Sequence, residues 1–172
     1  MYTIRRGMHQ DCPGIAALLM PWKPSRAREF SGDDAELPFY DVCYLVITDS
    51  EGQVVGFLEG MLDSHYDKSI APPALAMPQA FVQTMCVAVE QRGKGFGAAL
   101  LRRFAQEAAA VGLTYLATTA DQGGGQDRRV KFFLGCGLAS LDQENPLWAF
   151  GAPVAQLVGD GPMPDLRWRT TL

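Results

Sequence analysis

Three glycines and two cations share a six-residue segment between a predicted strand and a predicted helix. The segment reads Arg-Gly-Lys-Gly-Phe-Gly at residues 92–97, after the strand-like residues 81–89 and before an amphipathic helical pattern over 98–111. Glycine permits positive φ and lets backbone N–H groups approach a ligand without an intervening Cβ. The N-terminus of the following helix attracts anions, because its first N–H groups lack helical partners and its dipole end is positive. The segment therefore predicts a cradle for a phosphate group.

Two common phosphate-binding motifs describe this segment less well. Lys94 stands between glycines and no Ser or Thr follows it, which excludes the P-loop pattern. Gly93, Gly95 and Ala98 match the spacing of the dinucleotide fingerprint, and Asp121 follows at a suitable interval. That fingerprint usually opens its domain, whereas this turn lies mid-chain with too few residues after it for a second mononucleotide-binding half. A nucleotide-dependent oxidoreductase is therefore the least favoured of three hypotheses.

The charge distribution supports an anionic ligand near this turn. The 172 residues contain 15 Lys and Arg against 19 Asp and Glu, a net charge of −4. Seven of the cations but only three of the acids fall within residues 92–131, so a basic segment sits in an acidic chain. On charge alone, an anion-binding site and a solvated helix face explain this segment equally well. The acidic balance elsewhere argues against general nucleic-acid binding.

Composition also limits the class of protein. The longest early apolar run, residues 15–20, is stopped by Pro21 and is too short to span a bilayer, and no secretory signal pattern opens the chain. The four cysteines lack the spacing of zinc ligands, so we expect buried reduced thiols, no metal, no membrane association and a cytoplasmic location. They are Cys12, Cys43, Cys86 and Cys136.

Alternating strand and helix signals indicate an α/β protein with one mixed sheet and helices packed against it. The predicted strands are 2–6, 43–48, 53–62, 81–89, 113–119 and a closing strand at 166–172. The predicted helices follow Asp11, lie within 24–38, and cover 98–111 and 128–135, with a hairpin turn at 49–52 and a long loop at 64–80.

Three parts of the sequence resemble the GNAT superfamily of N-acetyltransferases. The segment from Val87 through Leu101 resembles its acetyl-CoA signature, Arg/Gln-x-x-Gly-x-Gly/Ala, with Arg92, Gly95 and Gly97 at the fixed positions. Residues 130–138 are similar to the family's Phe-Tyr-x-x-x-Gly-Phe ending, and the opening strand and helix also fit. The resemblance covers about residues 2–140, leaving 141–172 as a C-terminal extension of one domain, 1–172.

The resemblance implies a single-domain fold with a splayed, mixed, mostly antiparallel sheet flanked by helices, and acetyl-CoA as co-substrate. The pantetheine arm would pair with strand 81–89, and the pyrophosphate would lie on the backbone N–H groups of residues 92–98. Arg128 or Arg129 would either reach a phosphate or remain solvated. The cofactor-binding residues implied are Val87, Val89, Arg92, Gly93, Lys94, Gly95, Phe96, Gly97, Ala98 and Gln126.

The catalytic groups are less defined by the sequence. The family's reaction is direct attack of a neutral amine, helped by a general base and by an acid that is commonly a tyrosine. That tyrosine position holds Phe133, which has no proton to give. Glu59, on an apolar strand, and His65, in the loop after it beside Tyr66, are the candidate bases. Glu59 is equally well explained as an exposed strand-end carboxylate, His65 as an incidental loop histidine, and Asp121 as a cap for the glycine loop.

We therefore expect an acetyl-CoA-dependent N-acetyltransferase acting on a primary amine of a small molecule or protein. The alternative is a non-catalytic acyl-CoA-binding sensor of the same fold, which the phenylalanine permits. The acidic segment 29–41 favours a cationic acceptor, and segment 146–158 either covers a sheet edge or joins two subunits in a homodimer. The acidic residues of that first segment are Glu29, Asp33, Asp34, Glu36 and Asp41.

Overall fold

The strands and helices predicted from the sequence are present in the computed structural model, which describes residues 1–32, 37, 42–66, 72, 74–159 and the backbone of 168–170. The acidic residues Asp33, Asp34, Glu36 and Asp41 lie outside these described residues. Within them the strands are β1 (Tyr2–Arg6), β2 (Val42–Thr48), β3 (Val54–Ser64), β4 (Gln79–Val87), β5 (Tyr115–Thr119), β6 (Ala139–Ser140), β7 (Ala149–Pro153) and β8 (Trp168–Thr170). The described α-helices are α1 (Cys12–Leu19), α2 (Pro24–Arg28), α3 (Phe96–Ala110), α4 (Gln126–Gly135) and α5 (Val154–Val158).

The strands form one mixed sheet in the order β6-β7-β5-β4-β3-β2-β1-β8. Strand β1 pairs antiparallel with β2 and parallel with β8, while β5 pairs antiparallel with β7 and parallel with β4. The β4–β5 register joins Ala80 to Leu116, Phe81 to Ala117 and Val82 to Thr118, and β4 then continues to Val87. This mixed α/β architecture confirms the predicted fold class.

The chain forms two compact units. The first contains Met1–Glu59 and Thr84–Leu101 together with β8, and the second contains Gly60–Gln83 and the residues from Arg102 to Gly159. In the first unit, α1 and α2 pack on the apolar strands β2 and β3. Its centre is an aromatic group in which the Phe30 ring centroid lies 5.6 Å from that of Phe57 and 6.1 Å from that of Tyr44.

A buried amide organises the second unit. The Gln79 side-chain oxygen accepts hydrogen bonds from the backbone N–H groups of Thr114 (3.1 Å) and Tyr115 (3.0 Å), and its nitrogen donates to the Ala76 carbonyl (2.6 Å). These bonds join the beginning of β4 to the beginning of β5. The buried Thr118 hydroxyl adds a bond to the Val82 carbonyl (3.0 Å). Buried polar groups satisfied in this way fix the register of the parallel pair.

Three predicted boundaries near the candidate site were each wrong by two residues. Strand β4 ends at Val87, because Gln91 and Arg92 donate backbone hydrogen bonds back to Ala88 and Val89 and close a 3-10 turn. Helix α3 begins at Phe96 rather than Ala98. Helix α4 begins at Gln126, two residues before the predicted start. The described part of the C-terminal strand is Trp168–Thr170.

Candidate cofactor and active site

The glycine turn has the backbone conformation that the sequence predicted. Gly93 and Gly95 have φ values of +78° and +83°, in the left-handed region that L side chains rarely adopt. A Cβ built on Gly93 would meet nothing within 4 Å, so conformation rather than crowding requires glycine there. At the start of α3, the Ala99 N–H donates to the Gly95 carbonyl (3.0 Å). Such a turn at a helix N-terminus directs backbone N–H groups to one side, which suits an anion.

Two exposed cations flank the turn, and each is positioned by a hydrogen bond. The Arg92 Nε donates to the Val87 carbonyl (3.2 Å), and the Lys94 Nζ donates to the side-chain oxygen of Gln91 (2.8 Å). Neither cation is neutralised by these bonds, since both acceptors are uncharged. The turn therefore keeps its positive charge.

The other residues of the predicted cofactor segment contribute in different ways. Val87 is the last, half-buried residue of β4, and Val89 is 66% exposed in the 3-10 turn. Phe96 is 1% exposed and its ring packs edge-on against Tyr2, with centroids 4.6 Å apart. It can offer a ligand its backbone but not its ring. Gly97 and Ala98 complete the first turn of α3.

Glu59 lies in the first unit and is fully buried. Arg26, 17% exposed on α2, donates to both carboxylate oxygens of Glu59, with the Arg26 Nε at 3.2 Å from Oε2. The same guanidinium also pairs with Glu29, which is 43% exposed. The interpretation of Glu59 as an exposed strand-end carboxylate was therefore wrong. Sequence reasoning did not identify Arg26, because nothing in the sequence shows that α2 lies against β3.

Cys86 and Trp22 meet in the same unit. The thiol is buried in the core cluster, and the Trp22 indole hydrogen-bonds its sulfur. Burial raises the pKa of Cys86 to about 12, against the opposing effects of the Trp22 bond and of the charges of Arg92 and Lys23. A thiol with this pKa is protonated at neutral pH and is a poor nucleophile. This agrees with the prediction of a packed, unreactive cysteine.

The described residues lack both a membrane-spanning helix and a metal-binding group of side chains. None of the helices there combines the length and apolar character needed to cross a membrane. The same residues contain no group of three or more His, Cys, Asp or Glu side chains that could hold a metal ion.

A family model described as "Acetyltransferase (GNAT) family" matches residues 10–137, more than half of the chain. The chain belongs to the GNAT acetyltransferase family. No curated protein sequence matches it. The predicted family resemblance is thereby confirmed, and the signature residues 92–97 lie inside the matched range.

Solved structures of GNAT proteins share the fold. An aminoglycoside 6'-N-acetyltransferase from Acinetobacter baumannii is 16% identical, with a TM-score of 0.59 over 78% of this chain and 90% of that one. The GNAT family N-acetyltransferase YhbS from Escherichia coli, solved in complex with CoA, is 19% identical, with a TM-score of 0.58 over 91% and 84%. A structure of AtaTR bound with AcCoA has 15% identity and a TM-score of 0.65 over 91% and 95%. At these identities the likeness shows the fold.

The position that resembles the GNAT acid is part of the core. Phe133 lies on α4, 6% exposed, and its ring stacks on Phe150 with centroids 5.5 Å apart and contacts Phe132 at 5.4 Å. A phenylalanine ring in this setting has no proton to donate and contributes its surface to the core. The departure from the GNAT pattern is therefore a packing feature as well as a chemical one.

The remaining candidates lie in the second unit. His65 is exposed just after β3, and the Tyr66 ring packs on Phe81 at 5.8 Å, where burial raises the tyrosine pKa. The Gln126 amide donates to the Leu147 carbonyl (3.3 Å). The Arg129 guanidinium binds the carbonyls of the glycine-rich loop 121–124, so it stabilises that loop.

Proposed function

We propose that this chain is an N-acetyltransferase that moves an acetyl group from acetyl-CoA to a primary amine of a small molecule or protein. The observation that carries the proposal is the glycine turn at 92–97. It contains two glycines with positive φ and two cations whose hydrogen-bond acceptors are uncharged, and a fifteen-residue helix follows it. Membership of the GNAT family and the CoA-bound relatives support acyl transfer in general. The choice of an amine as the acceptor goes beyond this support and is what we propose.

The turn fits a phosphate-bearing cofactor. The space beside Gly93 is open, and the N–H groups of the first turn of α3 offer a positive dipole end. Val87 and Val89 would border the pantetheine arm, residues 92–98 would hold the pyrophosphate, and Gln126 would contact the cofactor as its position in the family pattern implies. When bound, acetyl-CoA supplies an activated acetyl thioester.

Glu59 and His65 are the proposed bases that take the proton from the amine. His65 is exposed directly after β3, so its imidazole is open to solvent. Both oxygens of Glu59 accept hydrogen bonds from Arg26. Glu59 can therefore act as the base only when the guanidinium releases one of these oxygens. Glu29, the described member of the acidic segment 29–41, is partly exposed beside this pair and would favour a cationic acceptor. We further propose a cytoplasmic location.

Calorimetry with acetyl-CoA tests cofactor binding. The Gly95→Asp variant should lose binding, because the side chain is strained at φ +83° and its carboxylate repels phosphate. Gly135→Asp adds the same charge at an exposed helical position with nothing within 4 Å of its Cβ, and it should bind like the unaltered chain. Absence of heat with the unaltered chain, or full binding by Gly95→Asp, contradicts the proposal.

A non-catalytic acyl-CoA sensor is the second candidate, and the buried Phe133 favours it. Release of free thiol with a panel of polyamines, amino acids and peptides separates the two functions. Turnover on any amine, reduced in Glu59→Gln or His65→Gln, supports the enzyme. Tight binding of acetyl-CoA without turnover on any amine supports the sensor.

A further inference from the structure

The side-chain oxygen of Gln91 accepts two hydrogen bonds, one from β1 and one from the glycine turn. The Tyr2 hydroxyl of β1 donates to it at 3.2 Å, and the Lys94 ammonium donates to it at 2.8 Å. Gln91 lies in the 3-10 turn that precedes the glycines, so one neutral oxygen connects β1 to the cation of the turn.

Tyr2 is itself fixed in place. Its ring packs edge-on against the buried Phe96 ring at 4.6 Å, and its backbone pairs with Trp168 of β8 on strand β1, which lies between β2 and β8. The hydroxyl therefore holds Gln91 from a rigid element. Lys94, by contrast, is exposed, and within the described part of the chain its ammonium donates a hydrogen bond only to Gln91.

The neutrality of this acceptor matters for an anionic ligand. A lysine ammonium has three N–H donors, so one bond to an amide oxygen leaves two donors and the whole charge for a phosphate. A free lysine side chain loses much rotamer entropy on binding, and restraint beforehand lowers that cost. A carboxylate at position 91 would also restrain the ammonium but would cancel its charge.

We propose that Gln91 is a positioning residue that, held by Tyr2, presents the Lys94 ammonium to a phosphate group at the glycine turn. This inference rests on the proposed function, because the phosphate is that of acetyl-CoA. Gln91 acts through Lys94 and needs no contact with the substrate. Its identity as glutamine thus sets the affinity of the turn for its anion.

The test compares Gln91→Glu with Gln106→Glu by calorimetry with CoA at low and high salt. Gln91→Glu keeps an acceptor oxygen for Tyr2 and Lys94 but pairs the ammonium with a negative charge. Gln106→Glu adds the same charge on an exposed position of α3, about 15 Å along the helix from Phe96. We expect the Kd for CoA to rise about tenfold in Gln91→Glu at low salt, less at high salt because ions screen the charge. Gln106→Glu should stay near the unaltered value, and both variants should keep the thermal midpoint.

A variant that lacks the acceptor oxygen of Gln91 tests the inference independently. Gln91→Leu should raise the KM for acetyl-CoA a few-fold with kcat unchanged, since Lys94 keeps its charge but loses its restraint. If Gln91 had a merely structural role, glutamate would replace it and CoA binding would be retained. Equal Kd values for CoA in Gln91→Glu and Gln106→Glu would therefore overturn the inference. If the unaltered chain does not bind CoA, the proposed function itself fails. The two failures are thus distinguishable.

Discussion

At the scale of single residues, the ion pair of Arg26 and Glu59 contributes most to the stability of the candidate catalytic region. Glu59 has no exposed surface, and a buried carboxylate without a partner is strongly disfavoured. Arg26 satisfies both of its oxygens and packs 5.5 Å above the Phe30 ring. The pair therefore fastens α2 to β3, whatever its part in catalysis.

Loss of Arg26 alone should be costly. Arg26→Met leaves the Glu59 charge buried without its partner, and we expect the free energy of unfolding to fall by about 3–5 kcal/mol. Arg28→Met, on the exposed side of the same helix, should change it by less than about 0.5 kcal/mol. Urea unfolding measures both. Adding Glu59→Gln to Arg26→Met should recover part of the loss, and an Arg26→Met variant as stable as Arg28→Met would contradict this assignment.

At the scale of elements, β3 and α3 approach each other through a glycine. A Cβ built on Gly60 would lie 2.4 Å from Cζ of the Phe104 ring, closer than real contacts allow. Phe104 is fully buried on α3, so its ring has little room to move. Glycine at this position lets the ring lie directly on the strand.

Alanine at this contact should force the ring aside. We expect Gly60→Ala to lower the free energy of unfolding by about 1–3 kcal/mol, the usual cost of overpacking. Phe104→Leu in the same chain should make the alanine less costly, because the smaller side chain makes room for the new Cβ. Denaturant unfolding of the two single variants and of the double variant measures the coupling free energy between positions 60 and 104. Strictly additive effects would show that the two positions do not interact.

Local patterns predicted most of the elements. Strand β1 was predicted at its observed bounds, and the Asp49–Gly52 turn, with Gly52 at φ +82°, was read from its residue types. The glycine cradle was likewise predictable, since it depends on neighbours in sequence. The Arg26–Glu59 pair and the Tyr2–Gln91 bond were not, because each joins residues far apart in the chain and follows from how the elements pack.

At the scale of the whole molecule, one buried and three partly buried acidic groups act in the same direction. Burial raises the pKa of Cys86 to about 12 and of Cys136 to about 11, from an ordinary value of 9.0, and it also raises those of Tyr66 and Tyr115. Each group keeps its proton in the folded state at a pH where the unfolded chain has lost it. Alkali therefore favours unfolding.

The expected result is a free energy of unfolding that falls as pH rises above 9. Below pH 9 both states hold these thiol protons and the contribution is constant, whereas between 9 and about 12 unfolding releases the Cys86 proton. Cys86→Ala should flatten that decline. Unfolding curves from pH 7 to 11 measure it, and a stability that is constant or rises across this range would contradict the burial of these groups.

The guanidinium of Arg129 has a consequence for the chain around it. It donates to the carbonyls of Asp121 (2.7 Å), Gly123 (2.8 Å) and Gly124 (3.1 Å), just before Gly125 at φ +84°. Three consecutive glycines lose more conformational entropy on folding than any other tripeptide. One side chain opposes that loss at several points at once. Without the Arg129 side chain, we expect this stretch to sample several conformations and to become open to proteolysis.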